Sequence, residues 1–461
     1  MLDPVLQRID AGSQDAIGRW SELLRIPSVS TDPAYTDDMG RAARWLVDAL
    51  EEIGFQAEIR ETAGHPVVFA VHPGPGGDAP HLLYYGHYDV QPPDPVELWD
   101  TAPFEPTLVD GPHGQRMVAR GAVDDKGQLM MWLEALRAWQ AEHGTLPMRT
   151  TVLIEGEEEV GSKNLRPFLE QHRDELAADV CVVSDTTMWD VDTPAITYML
   201  RGLMYTEVTC HGPGRDLHSG FYGGAVTNPL NALTHILGGL HDERGRVQIP
   251  GFYDGVLEPS DAELAQWRSL AFDEANFLGQ AGLTESGGGE IDRTLLERIW
   301  SRPTADINGI LGGYTGAGAK TVIPTHGSAK LSFRLVPEQD PERILDGFRQ
   351  FLDGRTPAGC RCEIDIHSSA PAIRIPPESP WLEAAERALA RVYGREAVRI
   401  GAGGSIPIAA WARDILGMDT LLMGFSLDDD GMHSPNEKFE VTCFERGTRS
   451  HAALIAQIAG E

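Results

Sequence analysis

A layered α/β domain interrupted by a separate α+β unit is the fold class this sequence predicts. Three observations carry it. Up to about residue 200, strand-length apolar runs alternate with stretches of helical periodicity. Near Arg201-Gly202 the pattern changes to alternating strands interleaved with capped helices. From about residue 373 the α/β character resumes. The expected division is therefore 1–200 and 371–461 as one split domain, with 201–370 inserted. A chain of 461 residues is long enough for two full cores.

Residues 4–25 place Val5, Leu6, Ile9, Ile17, Trp20, Leu23 and Leu24 at helical spacing, and Pro27 ends that helix. A second helix is expected over 39–53, stopping at Gly54. Short β-rich runs follow at 56–60, 67–71 and 82–85. Residues 92–119, rich in Pro, Asp and Gly, read as one long loop. A helix spans 127–141, and the apolar runs at 150–154 and 180–183 suit buried central strands. In the inserted part, 205–210 alternates as a strand. Asn228 caps a helix whose first position is Pro229, and Ser260 with Glu263 forms a capping box. Residues 282–290 are glycine-rich. The 329–335 run alternates with Leu331, Phe333 and Leu335 on one face, and a helix follows over 341–353. The last part reads as helix 380–393, a glycine turn 401–404, an apolar run 420–423 and a terminal helix 439–458.

The formal net charge is −31, from 69 acidic and 38 basic residues. That balance disfavours nucleic acid and anionic membrane surfaces as partners. No apolar run approaches membrane-spanning length, and the N-terminus lacks a signal-peptide core. The five cysteines are scattered; Cys360-x-Cys362 is too tight for a zinc knuckle and has no partner pair. All five are expected as reduced thiols of a cytoplasmic protein.

The chemistry concentrates in five places, each after an apolar run: His87, the Asp124-Asp125 pair, the run Glu155-Gly-Glu-Glu-Glu159, Asp185 and His433. In parallel sheets ligands bind outside the carboxyl ends of the strands, where chain-distant side chains converge. Two histidines with several carboxylates suit Zn²⁺, Mn²⁺ or Co²⁺ better than Ca²⁺. One shared carboxylate would allow two ions about 3.5–4 Å apart, holding a bridging hydroxide. Asp89 lies two residues from His87, on the same side of an extended chain, where it can orient the imidazole. Glu158 and Glu159 point in different directions, so one can bind metal while the other takes a proton as general base. Three further places stay open between two readings. His218 is an oxyanion stabiliser or an ordinary loop histidine. Arg334 is an outward-facing strand residue or a fork for a substrate carboxylate. The turn at Gly403, Gly404 and Ser405 is an anion-binding nest or a strand–helix link.

Together these words resemble the M20 metallopeptidase family, and within it the cytosolic dipeptidase, carnosinase-like branch. The resemblance rests on Gly86-His-Tyr-Asp-Val-Gln-Pro92, Arg120-Gly-Ala-Val-Asp-Asp-Lys-Gly127, Glu155-Gly-Glu-Glu-Glu-Val-Gly161, Val183-Ser-Asp185, Asp216-Leu-His-Ser-Gly220, Gly403-Gly-Ser-Ile-Pro407 and Gly431-Met-His-Ser-Pro-Asn-Glu437. It implies a zinc-aminopeptidase-like three-layer catalytic domain with an inserted α+β lid that forms a homodimer. It implies Asp124 bridging two divalent ions, His87 and Asp185 completing one site, and Glu159 and His433 the other. Glu158 would be the general base and Asp89 the orienter, with a cis peptide between Asp124 and Asp125. His218 would stabilise the oxyanion in the partner subunit. Arg334, helped by Gly403, Gly404 and Ser405, would hold the substrate's C-terminal carboxylate. Asp at 185 resembles the aminopeptidase and dipeptidase members more than the N-acyl amino acid deacylases. The sequence departs from the pattern at Gly401-Ala402, where relatives with this turn often carry Arg-Glu, so recognition of a substrate's amine end is left open. The expected activity is hydrolysis of dipeptides. The alternatives are an N-acyl amino acid amidohydrolase or carboxypeptidase of the same family, and a metal-free binding protein on the same fold.

Overall fold

A computed structural model describes residues 1–460. The chain divides into two compact units. The first holds Met1–Tyr198, Ile375–Ile400 and Pro407–Glu461. The second holds Met199–Arg374 together with Gly401–Ile406.

The first unit is built on a mixed sheet. Its neighbours run in the order Gln56–Arg60, Val67–His72, Arg149–Glu155, His81–His87, Val180–Val183, Asp419–Leu422, and then the strand starting at Ala195. The four central strands are mutually parallel, and the strands toward both edges are antiparallel. The central strands are apolar on both faces because helices cover the sheet. The helix Lys126–His143 is buried on nearly every side, with Trp132 and Trp139 inaccessible. It packs with the helices Ser13–Leu24 and Val441–Ile458, where Trp20 stacks on Phe444 at 4.6 Å.

Two segments differ from the expectation. The helix read over 4–25 is two helices, Leu2–Ala11 and Ser13–Leu24, separated at Gly12. The segment 92–119 is not all loop: Thr107–Gly111 and Gly114–Val118 form a hairpin, and Lys438–Glu440 adds a third antiparallel strand. Its many Pro, Gly and Asp residues hid a short alternating pattern that is half exposed.

The second unit is an antiparallel sheet in the order Thr304–Gly312, His326–Leu335, Gly202–His211, Arg361–Ala370. Buried and half-buried residues alternate strictly along Gly202–His211, as a sheet with one covered face requires. The helices Pro229–Gly238 and Pro341–Asp353 contribute Leu233, Ile236 and Phe348 to a core with Val208, Leu331 and Phe333. Asn228 caps the first helix at 2.9 Å from Leu230 N, and the Ser260–Glu263 capping box is present. Gly401–Ile406 joins this unit because Ser405 Oγ donates to Arg201 O at 2.6 Å and Gly401 lies against Trp300.

Candidate metal centre

Three adjacent parallel strands deliver His87, the Glu158-Glu159 pair and Asp185. His87 is the last residue of His81–His87 and pairs in register with Glu155 of Arg149–Glu155. Beyond Glu155 a short turn carries Glu158 and Glu159. Asp185 follows Val180–Val183 by two residues. Asp124 immediately precedes the buried helix Lys126–His143, across a cis peptide to Asp125. His433 comes from the loop after Asp419–Leu422 and sits at φ 62°, a left-handed conformation uncommon for a side chain with a Cβ.

These residues form two groups that share Asp124. One is His87, Asp124 and Asp185; the other is Asp124, Glu159 and His433, with ligand atoms within 4.8 Å in each. His87 Nε2 faces Asp124 Oδ1 at 3.2 Å and Asp185 Oδ2 at 3.9 Å. His433 Nε2 faces the other oxygen, Asp124 Oδ2, at 2.9 Å, and Glu159 Oε2 at 3.3 Å. The two oxygens of one carboxylate thus address two different imidazoles.

The donors fit divalent cations. His87 Nε2 is buried and makes no hydrogen bond, which is costly for a polar atom unless something else occupies its lone pair. Its other nitrogen is held: Nδ1 lies 3.1 Å from Asp89 O and 3.3 Å from Asp89 Oδ1, an arrangement that turns Nε2 into the ligand atom. Asp89 also accepts the backbone N–H of Glu158 at 3.2 Å and of Glu159 at 3.0 Å. One carboxylate therefore places both the imidazole and the glutamate turn.

Electrostatics agree. Burial pushes Asp185 up to about 7, and the Asp124 and Glu159 carboxylates add to it. Burial also holds Glu158 well above the usual carboxylate range; His87 opposes this, while Asp185, Glu159 and Asp124 reinforce it. Asp124 is held below that range, because His433 and His87 outweigh its burial. Asp124 and Glu159 draw His433 up to about 10. So many carboxylates sharing two imidazoles at low dielectric call for added positive charge, which divalent cations provide.

Four supports escaped the sequence reading. Glu437 is fully buried and accepts Arg120 Nη1 at 2.7 Å, Gly121 N at 2.8 Å, Val123 N at 2.9 Å and Asp124 N at 3.1 Å. Gln91 Nε2 donates to Glu159 Oε2 at 2.8 Å. Ser162 Oγ donates to Glu155 at 2.8 Å, and the Tyr85 hydroxyl donates to the same carboxylate. The available signal was Arg120, a lone charge between Ala119 and Gly121; Glu437, between Asn436 and Lys438, carries none.

The other expected site residues lie in the second unit. Arg334 Nη1 is 3.4 Å from Ser405 Oγ. Gly403 lies against Arg201, whose nearest guanidinium nitrogen would be 2.8 Å from an added Cβ. His218 is exposed, and its Nδ1 accepts Gly220 N at 3.0 Å, so Nε2 carries the proton in the neutral ring.

The chain matches the model of peptidase family M20/M25/M40 over residues 83–457. It is 31% identical to the Cys-Gly metallodipeptidase DUG1 of Saccharomyces cerevisiae, over 98% of this chain and 97% of that protein. It is 30% identical to the human Beta-Ala-His dipeptidase, over 100% of this chain and 93% of that one. Among solved structures it resembles the M20 family metallo-carboxypeptidase Sso-CP2 from Sulfolobus solfataricus, with a TM-score of 0.84 and 31% identity, over 96% of this chain and 99% of that chain. Read with the paired ligand groups around Asp124, these matches establish that the chain belongs to peptidase family M20/M25/M40.

Proposed function

We propose that the protein is a dinuclear metallopeptidase that hydrolyses the amide bond of dipeptides. The observation that carries the proposal is Asp124, whose two oxygens face His87 and His433 separately. His87, Asp124 and Asp185 would hold one ion, and Asp124, Glu159 and His433 the other. Zn²⁺ suits this nitrogen and oxygen donor set best, with Mn²⁺ or Co²⁺ also compatible. When bound, the ions would polarise the amide carbonyl and acidify the attacking water.

Glu158 is assigned the proton transfer: its carboxylate takes a proton from the attacking water and returns it to the leaving nitrogen. Burial raises its pKa, the direction in which carboxylate general bases are tuned. Asp89 keeps both His87 and the Glu158 backbone in place. Arg334, beside Ser405 and the Gly403-Gly404 turn, is assigned to a substrate carboxylate. His218, with Nε2–H available, is assigned to the oxyanion.

Assembly as a homodimer through the second unit forms part of the reading. The edge strand Thr304–Gly312 exposes Ile307, Ile310 and Leu311, and such an edge is suited to pairing with a second chain. Among the described residues no helix is long and apolar enough to cross a membrane. The five cysteines are all free, which supports a cytosolic location.

The likeness to a metallo-carboxypeptidase supports a second reading, cleavage of a C-terminal residue from longer peptides or N-acyl amino acids. A panel of dipeptides, longer peptides and N-acetyl, N-succinyl and N-carbamoyl amino acids separates the two. The dipeptidase reading requires dipeptides to give the highest kcat/KM. Glu158→Ala should retain its metal while turnover falls by several orders of magnitude; near-normal turnover would remove Glu158 from its assigned role.

A further inference from the structure

Three cysteines that look unrelated along the chain meet in the second unit. Cys362 on Arg361–Ala370 lies directly across from Cys210 on Gly202–His211 in antiparallel register. Residues so paired share one sheet face, with Cβ atoms about 4.5–5.5 Å apart. Here it is the core face, since Cys210 is buried with Val208 and Met204. The Cys362 side chain thus stands beside that of Cys210, with the half-buried Cys360 and Cys362 packed against the same core. Thr356 Oγ1 lies 3.3 Å from Cys362 Sγ. Cys360 and Cys362 are only half-buried, whereas Cys181 and Cys443 are buried in the first unit.

We infer that Cys362 is an oxidation site, at which a peroxide links Cys362 to Cys210 in a cross-strand disulfide. The inference stands independently of the metal centre. Cys362 is the member that reacts first because it is reachable and because its charged form is supported. The facing Cys210 thiol draws its pKa down, and Thr356 and His211 pull the same way against burial and the Asp353 charge. The thiolate is the nucleophile in such reactions. Cys362 sulfur attacks the peroxide, an S–O bond forms, the O–O bond breaks, and the departing oxygen leaves as water after taking a proton from solvent. Cys210 sulfur then attacks the sulfenic sulfur. The S–S bond forms, the S–O bond breaks, and the released hydroxide takes the Cys210 proton to leave as a second water. Two thiols lose two electrons, and one peroxide is reduced to two waters.

Register decides which pair forms. Cys360 precedes the strand and has no partner in its register, so Cys362 alone is held directly across from Cys210. Cys360 and Cys362 are separated by one residue, about 6.6 Å in extended chain, at the far limit of the Cα separation a disulfide spans. Cys360 is therefore left as a thiol.

The test is peptide mass mapping of the full chain under non-reducing conditions after treatment with about one equivalent of hydrogen peroxide, alongside thiol titration with Ellman's reagent. The expected result is loss of two of the five thiols and one crosslinked peptide pair joining Cys210 to Cys362. Cys360→Ser should leave that pair intact, and Cys210→Ser should leave Cys362 as a sulfenic acid trapped by dimedone. A disulfide that includes Cys360, sulfinic acid as the sole product at Cys362, or oxidation at Cys181 or Cys443 with Cys362 untouched would each overturn the inference. The wild-type map decides the matter even where a variant folds poorly.

Discussion

Replacing Glu437 by Ala is the sharpest probe of how this centre is held together. Glu437 and Arg120 are 0% and 1% exposed and meet at 2.7 Å. The same carboxylate takes the main-chain N–H groups of Gly121, Val123 and Asp124. Removing one partner of a buried ion pair costs about 3–5 kcal/mol, because the other charge is left buried. Three amide donors are stranded at the same time, each worth about 1–3 kcal/mol if it stays dry. Water entering the vacated space will satisfy part of that demand, so about 3–5 kcal/mol is the expected loss. The measurement is a urea unfolding midpoint at pH 8, above the value of about 7 to which burial raises Glu437. A chelator is kept present so that weakened metal binding does not add to the shift. Because Asp124 N hangs from this carboxylate, metal affinity should also fall about 10–100-fold, the usual cost of losing a group that orients a ligand, read by competition with a chromogenic chelator. Glu437→Gln keeps the shape and one acceptor and should lose less on both measures. A stability change below about 1 kcal/mol with unchanged metal affinity would refute the view that Glu437 positions Asp124.

Other substitutions probe other links. Gly127→Ala places a Cβ 2.0 Å from Ala122 O and 2.8 Å from Phe439 Cδ1; the loop bearing Asp124 must shift, so a loss of several kcal/mol, on the scale of severe core mutations, should accompany weaker metal binding. His451 is fully buried, and burial holds its pKa down to about 3. The folded value lies below the unfolded value of about 6.5, so the unfolded chain takes up the proton first. The contribution of His451 is therefore complete above pH 6.5 and falls as the pH drops toward 3, by about 1.4 kcal/mol per unit. His451→Gln should flatten that dependence between pH 6.5 and 5, seen in urea midpoints; an unchanged slope would assign the acid sensitivity elsewhere. Arg334→Lys should raise KM for substrates with a free C-terminal carboxylate while sparing kcat, since a lysine cannot reproduce the two-pronged contact. An equal effect on C-terminally amidated substrates would count against that role.

The local words were readable because their chemistry is local. His87 and Asp89 are two residues apart where one strand ends, and Glu158 and Glu159 are neighbours in the short turn after another, so each pair lies within a few residues of sequence. The parallel strands were readable as apolar runs because both their faces are covered. The helix starts at Asn228-Pro229 and Ser260 were readable because caps depend on the next three residues only. The hairpin over 107–118 was not, since half of its residues face solvent and its third strand comes from more than 300 residues later.

The sequence by itself picked out candidate cation ligands and placed His87, Glu159 and Asp185 just at or after strands. Tertiary structure decided the rest, because each remaining choice is a matter of long-range register. Pairing Lys438 with Val118 brings Glu437 onto the backbone that presents Asp124. Pairing Cys362 with Cys210 makes a reactive couple of two residues that spacing alone kept apart. Neither contact has a signature in a window of sequence, because strand pairing fixes which distant residues face each other and only the folded sheet sets that pairing.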